Sequence, residues 1–333
     1  MIISRTPFRM SFFGGGTDYP AWYRENGGAV ITTGIDKYCY ITCRYLPPFF
    51  DYRSRILYSK VEMVAENNRI EHPAVRAALE HLKITDGVEI HHDGDLPART
   101  GLGSSSSFAV GLLLALHALK NRMVDKMDLA REAIHIEQDL LKENVGCQDQ
   151  VIAAVGGFQR IDFLPTGDIR VNPITVGKDR LVSLQDHILL YFTGFSRIAS
   201  VIVKEQLQKM PARKTELTRM REMVDESVKL LNSGDISDFG RLLDEGWKLK
   251  RSLSSKISTP AIDEMYEAAK SAGALGGKVL GAGGGGFMIV FAKPEDQPRV
   301  KERLKRFLRI PFHFENQGSH ILLYQPGTAP SAL

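Results

Sequence analysis

The chain has 333 residues, of which 43% are hydrophobic and 25% charged, the proportions of an ordinary globular protein with room for two domains. The formal net charge of +4 is too small to indicate a nucleic-acid-binding protein, although it suits anionic small molecules. Because the three cysteines form no CxxC pair, and the sequence shows no signal peptide and no apolar run of membrane-spanning length, we expect a cytoplasmic protein that binds neither nucleic acid nor membranes.

The first 60 residues are rich in β-branched and aromatic side chains, which predicts strands at residues 2–6, 28–34 and 37–45. Between the first two strands lies a run of three glycines, Gly14 to Gly16, followed by Thr17 and Asp18. Consecutive glycines indicate that the backbone turns sharply or approaches another group closely.

A loop rich in glycine and serine leads into an apolar helix predicted to end near residue 120. A helix N-terminus presents unpaired backbone N–H groups and the positive end of the helix dipole, which together bind anions such as phosphate. A serine-capped core helix is the simpler interpretation, but four consecutive serines exceed what a cap needs, which favours phosphate binding. The loop is neither a P-loop, since Ser104 rather than lysine follows Gly103, nor a dinucleotide fingerprint, since its sixth position is Ser106. The candidate residues of this phosphate loop are Gly101, Leu102, Gly103, Ser104, Ser105, Ser106 and Ser107.

Two carboxylates on the following helices are candidates for function. A helix predicted over residues 126–142 carries Glu137 on an apolar face, where a glutamate is costly unless it is paired, protonated or bound to a metal. A glutamate at the edge of the surface is an equally simple alternative. Asp149 lies in the first turn of a short helix predicted to begin near Gln148 and to end at the glycines that follow. It either complements the helix dipole or serves as a fixed carboxylate near an anion site.

The composition shifts near residues 165–180, and we place a domain boundary there, giving domains of residues 1–175 and 176–333. A third glycine cluster lies in the second domain, where five of the six residues from Gly281 to Gly286 are glycine. A hairpin needs two glycines at most, so the surplus indicates close approach of the backbone to a ligand or to another loop. A helix over residues 294–308 and a last strand at residues 320–324 would then complete half of an α+β sandwich.

The three glycine clusters, in this order, resemble the motifs of the GHMP kinases, the family of galactokinase, homoserine kinase, mevalonate kinase and phosphomevalonate kinase. The matching segments are Arg5-Thr-Pro-Phe-Arg-Met-Ser-Phe-Phe-Gly-Gly-Gly-Thr-Asp-Tyr, Pro97-Ala-Arg-Thr-Gly-Leu-Gly-Ser-Ser-Ser-Ser and Lys278-Val-Leu-Gly-Ala-Gly-Gly-Gly-Gly-Phe. The resemblance spans nearly the whole chain. It implies an α+β, two-domain GHMP kinase fold, with an N-terminal domain like the second domain of ribosomal protein S5 and a ferredoxin-like C-terminal domain. ATP and the substrate would meet in the cleft between them.

The resemblance also implies roles for single residues. Asp149 would be the catalytic base, assisted by Arg9, and the phosphate loop would bind the phosphates of ATP. Mg²⁺ would be held by Glu137 and by one of the serines of the loop, with Ser105 as the candidate. The implied substrate-binding residues are Gly14, Gly15, Gly16, Thr17, Asp18, Gly284 and Arg197. Such a site suits in-line phosphoryl transfer, which needs positioning and charge neutralisation more than covalent help.

The substrate is indicated by the first glycine run. Galactokinase has Gly-Glu-His where this chain has Gly14 to Gly16, and the loss of two polar side chains disfavours galactose. The segment Phe13-Gly-Gly-Gly-Thr-Asp-Tyr-Pro resembles the bacterial heptose kinases, which implies transfer to the anomeric oxygen of D-glycero-D-manno-heptose 7-phosphate, a step towards GDP-heptose and surface polysaccharide. The phosphate on that sugar would need a second basic site, for which the candidates are Arg197, Lys248, Lys250 and Arg251.

Other functions compatible with the sequence are a kinase for fucose or a related sugar and a sensor that binds ATP and sugar without turnover. An NAD-binding role for the third glycine cluster is disfavoured, because no helix is predicted to open after it. The oligomeric state stays open between a monomer and a homodimer.

Overall fold

The structure is a computed structural model, and it describes residues 1–98, 100–194, 199–325 and 327. The strands are β1 (Ile2–Phe13), β2 (Gly28–Tyr45), β3 (Ser54–Leu57), β4 (Val61–Val64), β5 (Val88–Gly94), β6 (Phe158–Phe163), β7 (Ile169–Pro173), β8 (Ile188–Phe192), β9 (Gly276–Val279), β10 (Phe287–Phe291), β11 (Leu308–Ile310), β12 (Phe314–Glu315) and β13 (His320–Tyr324).

The helices are α1 (Pro20–Asn26), α2 (Pro73–His81), α3 (Ser104–Leu119), α4 (Lys126–Ile134), α5 (Gln148–Val155), α6 (Lys178–Asp186), α7 (Ala199–Lys209), α8 (Lys214–Ser233), α9 (Ile236–Leu253), α10 (Pro260–Ser271) and α11 (Gln297–Arg303). Short 3₁₀ turns occur at Asn67–Arg69 and Met210–Arg213, and a π-helical segment, His135–Leu140, directly follows α4. No helix in the described residues is both long and apolar enough to cross a membrane.

A large mixed sheet forms the first half of the molecule, with the strand order β13-β1-β2-β5-β3-β4. β6 and β12 pair with β2, and β7 pairs with β6. Its central strand, β2, is continuous over 18 residues, whereas the sequence predicts two strands. A shift of register between Pro7 and Phe8 on β1 accommodates Asp36 and Lys37 as an irregularity within one strand. β1 also runs beyond the predicted residues 2–6, because β2 offers it backbone partners as far as Phe13.

The helix that follows the phosphate loop, α3, packs on β1 and β2 and is buried almost all the way round. Gly111 lets it approach the sheet closely, since a Cβ at this position would lie 2.7 Å from Thr6 Oγ1. The neighbouring Ser4 Oγ donates to Gly111 O at 2.8 Å. This close packing fixes the N-terminus of α3 relative to β1. The N-terminus of α3 and the strand β1 both contribute residues to the cavity described below.

The second half of the molecule is built on a four-stranded sheet in the order β11-β8-β10-β9, on which α9 and α10 pack against β9 and α6 packs against β8. α10 begins with Thr259 as its N-cap, whose side chain accepts from Ile262 N, and with Pro260 in its first turn. α8 packs against α9 and also contacts β1 and β2, so it joins the two halves.

The end of the chain returns to the first sheet, which corrects the predicted strand arrangement of residues 278–325. β13 pairs antiparallel with β1, and β12 pairs with β2, so neither belongs to the second sheet. The fourth strand of that sheet is instead β11, which forms where the sequence predicts the end of a helix, and α11 is correspondingly short. The edge of β1 offers unpaired backbone groups, and β13 satisfies them. The boundary at residue 175 stays a prediction.

Candidate active site

A cavity of about 620 Å³ is lined by residues from both halves of the chain, a volume typical of sites for small molecules. The first half contributes β1, the first glycine run, the phosphate loop and residues 142–149, and the second half contributes α7, α9, β9 and the third glycine cluster. The lining side chains that carry charge are Arg9, Asp18, Lys142, Glu143, Asp149, Lys250 and Lys278.

The glycine clusters meet at this cavity, and two of them touch. A Cβ placed on Gly281 would lie 2.6 Å from the Cα of Gly101, and both residues have positive φ angles, +67° and +84°. A Cβ on Gly286 would lie 2.1 Å from Thr100 O. The surplus of glycine in the third cluster is thus explained in part by close approach to another loop, one of the two alternatives that the sequence left open.

Asp149 and Arg9 form a bidentate ion pair at the cavity wall. Arg9 Nε donates to Asp149 Oδ1 and Nη2 donates to Oδ2, both at 2.7 Å, while Nη1 donates to Gly101 O at 2.6 Å. The Arg9 side chain is 4% exposed and that of Asp149 is 23% exposed, so the carboxylate is the more accessible partner. A Cβ on Gly103 would lie 3.3 Å from Asp149 Oδ2, which places the phosphate loop directly beside this carboxylate.

Asp18 is buried at the same cavity and held by three N–H groups. Gly16 N donates to its Oδ1 at 2.9 Å, and Gln148 donates to Oδ2 from Nε2 at 3.1 Å and from the backbone at 3.4 Å. Ser11 Oγ donates to Gln148 Oε1 at 2.8 Å and fixes the orientation of the amide. Burial raises the pKa of Asp18 above its ordinary value. Sequence reasoning missed Gln148 as a site residue, and its position next to Asp149 in the first turn of α5 was the signal available.

Glu137 lies inside the protein, 1% exposed, in the π-helical segment that follows α4. Ser105 Oγ and Ser106 Oγ donate to its two oxygens at 3.1 and 2.8 Å, and Gln150 Nε2 donates to Oε2 at 2.5 Å. Burial raises the pKa of Glu137 to about 7. The alternative of a glutamate at the surface edge is therefore wrong.

The groups around Glu137 fit a hard divalent cation. One carboxylate and two serine hydroxyls supply oxygen ligands of the kind that Mg²⁺ prefers, and Mg²⁺ is commonly held by one or two carboxylates together with substrate phosphates. Gln150 Oε1 is buried next to this carboxylate and has no hydrogen-bond partner in the described part of the chain. Burial raises the pKa of Glu137, and no ion pair joins this carboxylate to a basic side chain within the described residues, so a bound cation would offset the cost of its charge.

The phosphate loop opens α3 without a side-chain cap. Gly103 is the N-cap residue, with φ +75°, and the lining residues of the loop are Gly101, Gly103 and Ser104 to Ser106. Ser107 and Leu102 do not line the cavity, although the sequence places both in the ATP site. Ser107 Oγ donates to Pro7 O at 2.9 Å, and Leu102 is fully buried with its carbonyl accepting from Arg9 N.

Three predicted substrate residues also lie behind the cavity wall. Thr17 is buried and donates to Gly14 O and Ala29 O, and Gly14 packs so tightly that a Cβ would lie 1.8 Å from Ala29 O. Gly284 N donates to Ile257 O at 2.8 Å. These residues shape the site, whereas Gly15, Gly16 and Asp18 line it. Arg197 lies outside the described residues.

Two lysines of the second half line the cavity, and sequence reasoning singled out only one of them. Lys250 and Lys278 are both buried, with 7% and 6% exposure. Lys278 was read only as part of the third motif. The other candidates for a second basic site are engaged elsewhere: Lys248 pairs with Asp244 and Arg251 pairs with Asp263, and neither lines the cavity.

Comparisons with known proteins agree with this architecture. Residues 68–157 match the family model "GHMP kinases N terminal domain" and residues 227–310 match "GHMP kinases C terminal", together just over half of the chain. A D-glycero-alpha-D-manno-heptose 7-phosphate kinase of Campylobacter jejuni is 27% identical over 317 residues, covering 92% of this chain and 93% of the relative. A galactokinase of Pyrococcus furiosus is 26% identical, with 92% and 93% covered.

A solved structure shows the same fold across the whole chain. The crystal structure of a D-glycero-D-manno-heptose 1-phosphate kinase from Bacteroides thetaiotaomicron has a TM-score of 0.80 and 24% identity, and the match covers 97% of this chain and 99% of that one. The predicted α+β architecture of two GHMP kinase domains is confirmed by this likeness together with the two family models.

Proposed function

Since the chain belongs to the GHMP kinase family, we propose that it transfers the terminal phosphoryl group of ATP to the anomeric hydroxyl of D-glycero-D-manno-heptose 7-phosphate. The family and its named relatives make the chain a sugar kinase with an alcohol acceptor. The heptose phosphate is supported by the name of the Campylobacter jejuni relative, which aligns over nearly the full length of both chains. The product would be heptose 1,7-bisphosphate.

The observation that carries the proposal is the Arg9–Asp149 ion pair beside the phosphate loop. A carboxylate that accepts two N–H donors at 2.7 Å is fixed in position, yet Asp149 stays accessible from the cavity. In-line transfer requires the acceptor hydroxyl and the phosphate cradle to be neighbours, and Gly103 and Asp149 are in contact distance.

The reaction then follows from the residues. Asp149 accepts the proton of the acceptor hydroxyl as the oxygen–phosphorus bond forms and the bond to the ADP oxygen breaks. Arg9 keeps the carboxylate aimed and places a positive charge beside the transferring group, while the N–H groups at the start of α3 hold phosphate oxygens. Mg²⁺, when held by Glu137 and Ser105, would neutralise charge on the phosphates of ATP.

Asp18 is the proposed anchor for a hydroxyl of the sugar. N–H groups of Gly16 and Gln148 hold the carboxylate in place. Asp18 also lines the cavity, where a sugar hydroxyl can donate to it. Gly15, Gly16 and Gly146 line the same cavity, and glycine has no side chain to fill it.

The test is a coupled ADP-release assay with Mg²⁺ and ATP. D-glycero-D-manno-heptose 7-phosphate would be compared with unphosphorylated heptose, fucose, galactose and mevalonate. We expect turnover with the 7-phosphate and at least a hundredfold lower kcat/KM with each of the others. Preferred turnover of fucose would replace the substrate but keep the mechanism, and ATP binding without turnover of any acceptor would favour a sensor.

A further inference from the structure

We propose that Lys250 and Lys278 form an anion site that holds a phosphoryl group inside the cavity. The inference rests on the proposed function only in taking the ligand to be a substrate of phosphoryl transfer. The two residues, called the lysine pair, come from α9 and β9 and line the same cavity as the phosphate loop and Asp18.

The ammonium groups of the lysine pair have donors to spare. Lys250 Nζ donates to Gly281 O, and Lys278 Nζ donates to Phe12 O at 2.8 Å. Each ammonium carries three N–H donors, and one backbone carbonyl occupies only one of them. Both side chains are more than nine-tenths buried, so the cavity they line is where a further acceptor can reach them.

No ion pair joins either ammonium to a carboxylate in the part of the chain that the structure describes. Asp18 and Asp149, whose charges act on Lys250, are already engaged, since Asp149 accepts from Arg9 and Asp18 accepts from Gly16 and Gln148. A buried ammonium without an anion is costly. Burial accordingly lowers the pKa of both lysines, that of Lys250 to about 8. An anion bound between them would offset this cost.

The position of the lysine pair indicates a phosphoryl group as the anion. Lys250 is bonded to Gly281, whose backbone touches Gly101 of the phosphate loop. Lys278 is bonded to Phe12, which stands just before the first glycine run. The pair thus lies between the donor end and the acceptor end of the cavity. Its phosphoryl oxygens could come from the terminal phosphate of ATP or from a phosphate carried by the acceptor.

The experiment measures binding rather than turnover. Lys250→Met and Lys278→Met remove each charge while keeping most of the side-chain volume. The first calorimetric titration would use the ATP analogue AMP-PNP with Mg²⁺. Inorganic phosphate, D-glycero-D-manno-heptose 7-phosphate and unphosphorylated heptose would then each be titrated into the AMP-PNP complex. Lys120→Met is the matched control, because Lys120 is also partly buried and donates to a backbone carbonyl, Leu82 O, but lies outside the cavity.

We expect each variant of the lysine pair to bind AMP-PNP or inorganic phosphate tenfold or more weakly, with unphosphorylated heptose and the Lys120→Met control changed less than threefold. A loss confined to AMP-PNP identifies ATP as the source of the phosphoryl group. A loss confined to inorganic phosphate and heptose 7-phosphate identifies the acceptor. The inference is overturned if AMP-PNP and inorganic phosphate both bind within threefold of wild type, or if unphosphorylated heptose is weakened equally.

One further measurement covers the case of a variant that does not fold, and the turnover assay separates this inference from the proposed function. If a methionine variant does not fold, acetylation of Lys250 in the wild-type protein can be followed by mass spectrometry, and AMP-PNP or phosphate should slow it at least tenfold. No protection by either would count against the site. Absence of turnover with heptose 7-phosphate would end the proposed function alone, because AMP-PNP and inorganic phosphate test the lysine pair without any acceptor sugar.

Discussion

At the scale of single residues, the proposed chemistry depends on the carboxylate of Asp149. Asp149→Asn keeps the shape and one acceptor oxygen for Arg9 but cannot take up the hydroxyl proton. We expect kcat to fall by about 10²–10⁴-fold, with the affinity for AMP-PNP within threefold of wild type. Steady-state kinetics and calorimetry measure the two quantities.

A helix-dipole role for Asp149 can be separated from catalysis with Asp179→Asn. Asp179 is also an acidic residue in the first turn of a helix, α6, but it does not line the cavity. Its substitution should leave kcat unchanged and cost only a few tenths of a kcal/mol of stability, as expected for a first-turn carboxylate. Equal kinetic losses in the two variants would remove Asp149 from the role of base.

The buried Glu137 makes stability depend on pH. Its pKa is about 7 in the folded protein against 4.5 for the ordinary group, so the folded chain holds a proton that the unfolded chain has released. The stability that the protonated carboxyl group of Glu137 contributes is fully present below pH 4.5 and is lost as the pH rises through about 7. Without Mg²⁺, wild type should lose about 3 kcal/mol relative to Glu137→Gln over this window.

Urea unfolding of both proteins between pH 4.5 and 8, with a chelator present, measures that difference. Added Mg²⁺ at pH 8 should recover the stability of wild type and leave that of Glu137→Gln unchanged, because only the carboxylate offers a charged ligand. Parallel pH curves for the two proteins would show that the charge on Glu137 does not destabilise the folded chain. Equal responses to Mg²⁺ would show that Glu137 is not a ligand.

The sequence identified the phosphate loop and several of the charged side chains that line the cavity, but fewer than half of the lining residues. Arg9, Asp18 and Asp149 lie together as predicted, although their roles stay predictions. Gln148 and Lys278 were missed because nothing in a single sequence tells which polar side chain points inward. Ser107 was over-assigned, because a run of four serines on a helix must turn part of itself towards the sheet behind.

At the scale of elements, the contact between the phosphate loop and the third glycine cluster can be tested with Gly281→Ala. The new Cβ would lie 2.6 Å from Gly101 Cα, and the positive φ disfavours any side chain. We expect a loss of roughly 1–3 kcal/mol in the free energy of unfolding and weaker AMP-PNP binding, because the loop must shift. Denaturant unfolding and calorimetry would report both.

Gly177→Ala is the control for this substitution. Gly177 has open space around it and a φ of −58°, which alanine adopts freely. Its substitution should change stability by less than about 1 kcal/mol, the cost of alanine at an N-cap. If Gly281→Ala were as mild as this control, the two loops would not be in tight contact.

Element boundaries were less predictable than the elements themselves. α5 begins at Gln148 and ends before Gly156, as predicted, because the glycines that follow it mark its end. The sequence predicts an α-helix where the structure has the π-helical segment His135–Leu140. Apolar residues at α-helical spacing cannot reveal the wider turn of a π-helix. The sequence likewise predicts two strands where the structure has the single strand β2, because only the pairing with β1 shows that β2 continues past Asp36 and Lys37.

At the scale of the whole molecule, the returning strands predict that the first domain does not fold alone. A fragment of residues 1–175 lacks β12 and β13, and it leaves the edge of β1 unpaired. We expect it to lose cooperative unfolding by near-UV circular dichroism. Joining residues 311–325 to it through a long flexible linker should restore a cooperative transition. A sharp transition in the shorter fragment would show that the returning strands are dispensable.

The sequence predicted the division into two halves but not this exchange between them. The apolar pattern of residues 320–324 shows a strand and is silent about its partner. Pairing across the chain is decided by which sheet has a free edge when both halves are folded. Thr6 Oγ1 and Ser319 Oγ, 2.7 Å apart, hold the two ends together.

The pairing of Ile2 with Tyr324 also sets an order of events during synthesis. β1 is made more than 300 residues before its outer neighbour β13, the last strand in the described part of the chain. At roughly 5–20 residues per second, the interval is on the order of 15–60 s. Until then, any pairing of β1 with β2 leaves the outer edge of β1 open, and an open strand edge favours aggregation. We therefore expect aggregation of ribosome-bound chains to fall once β13 has been made.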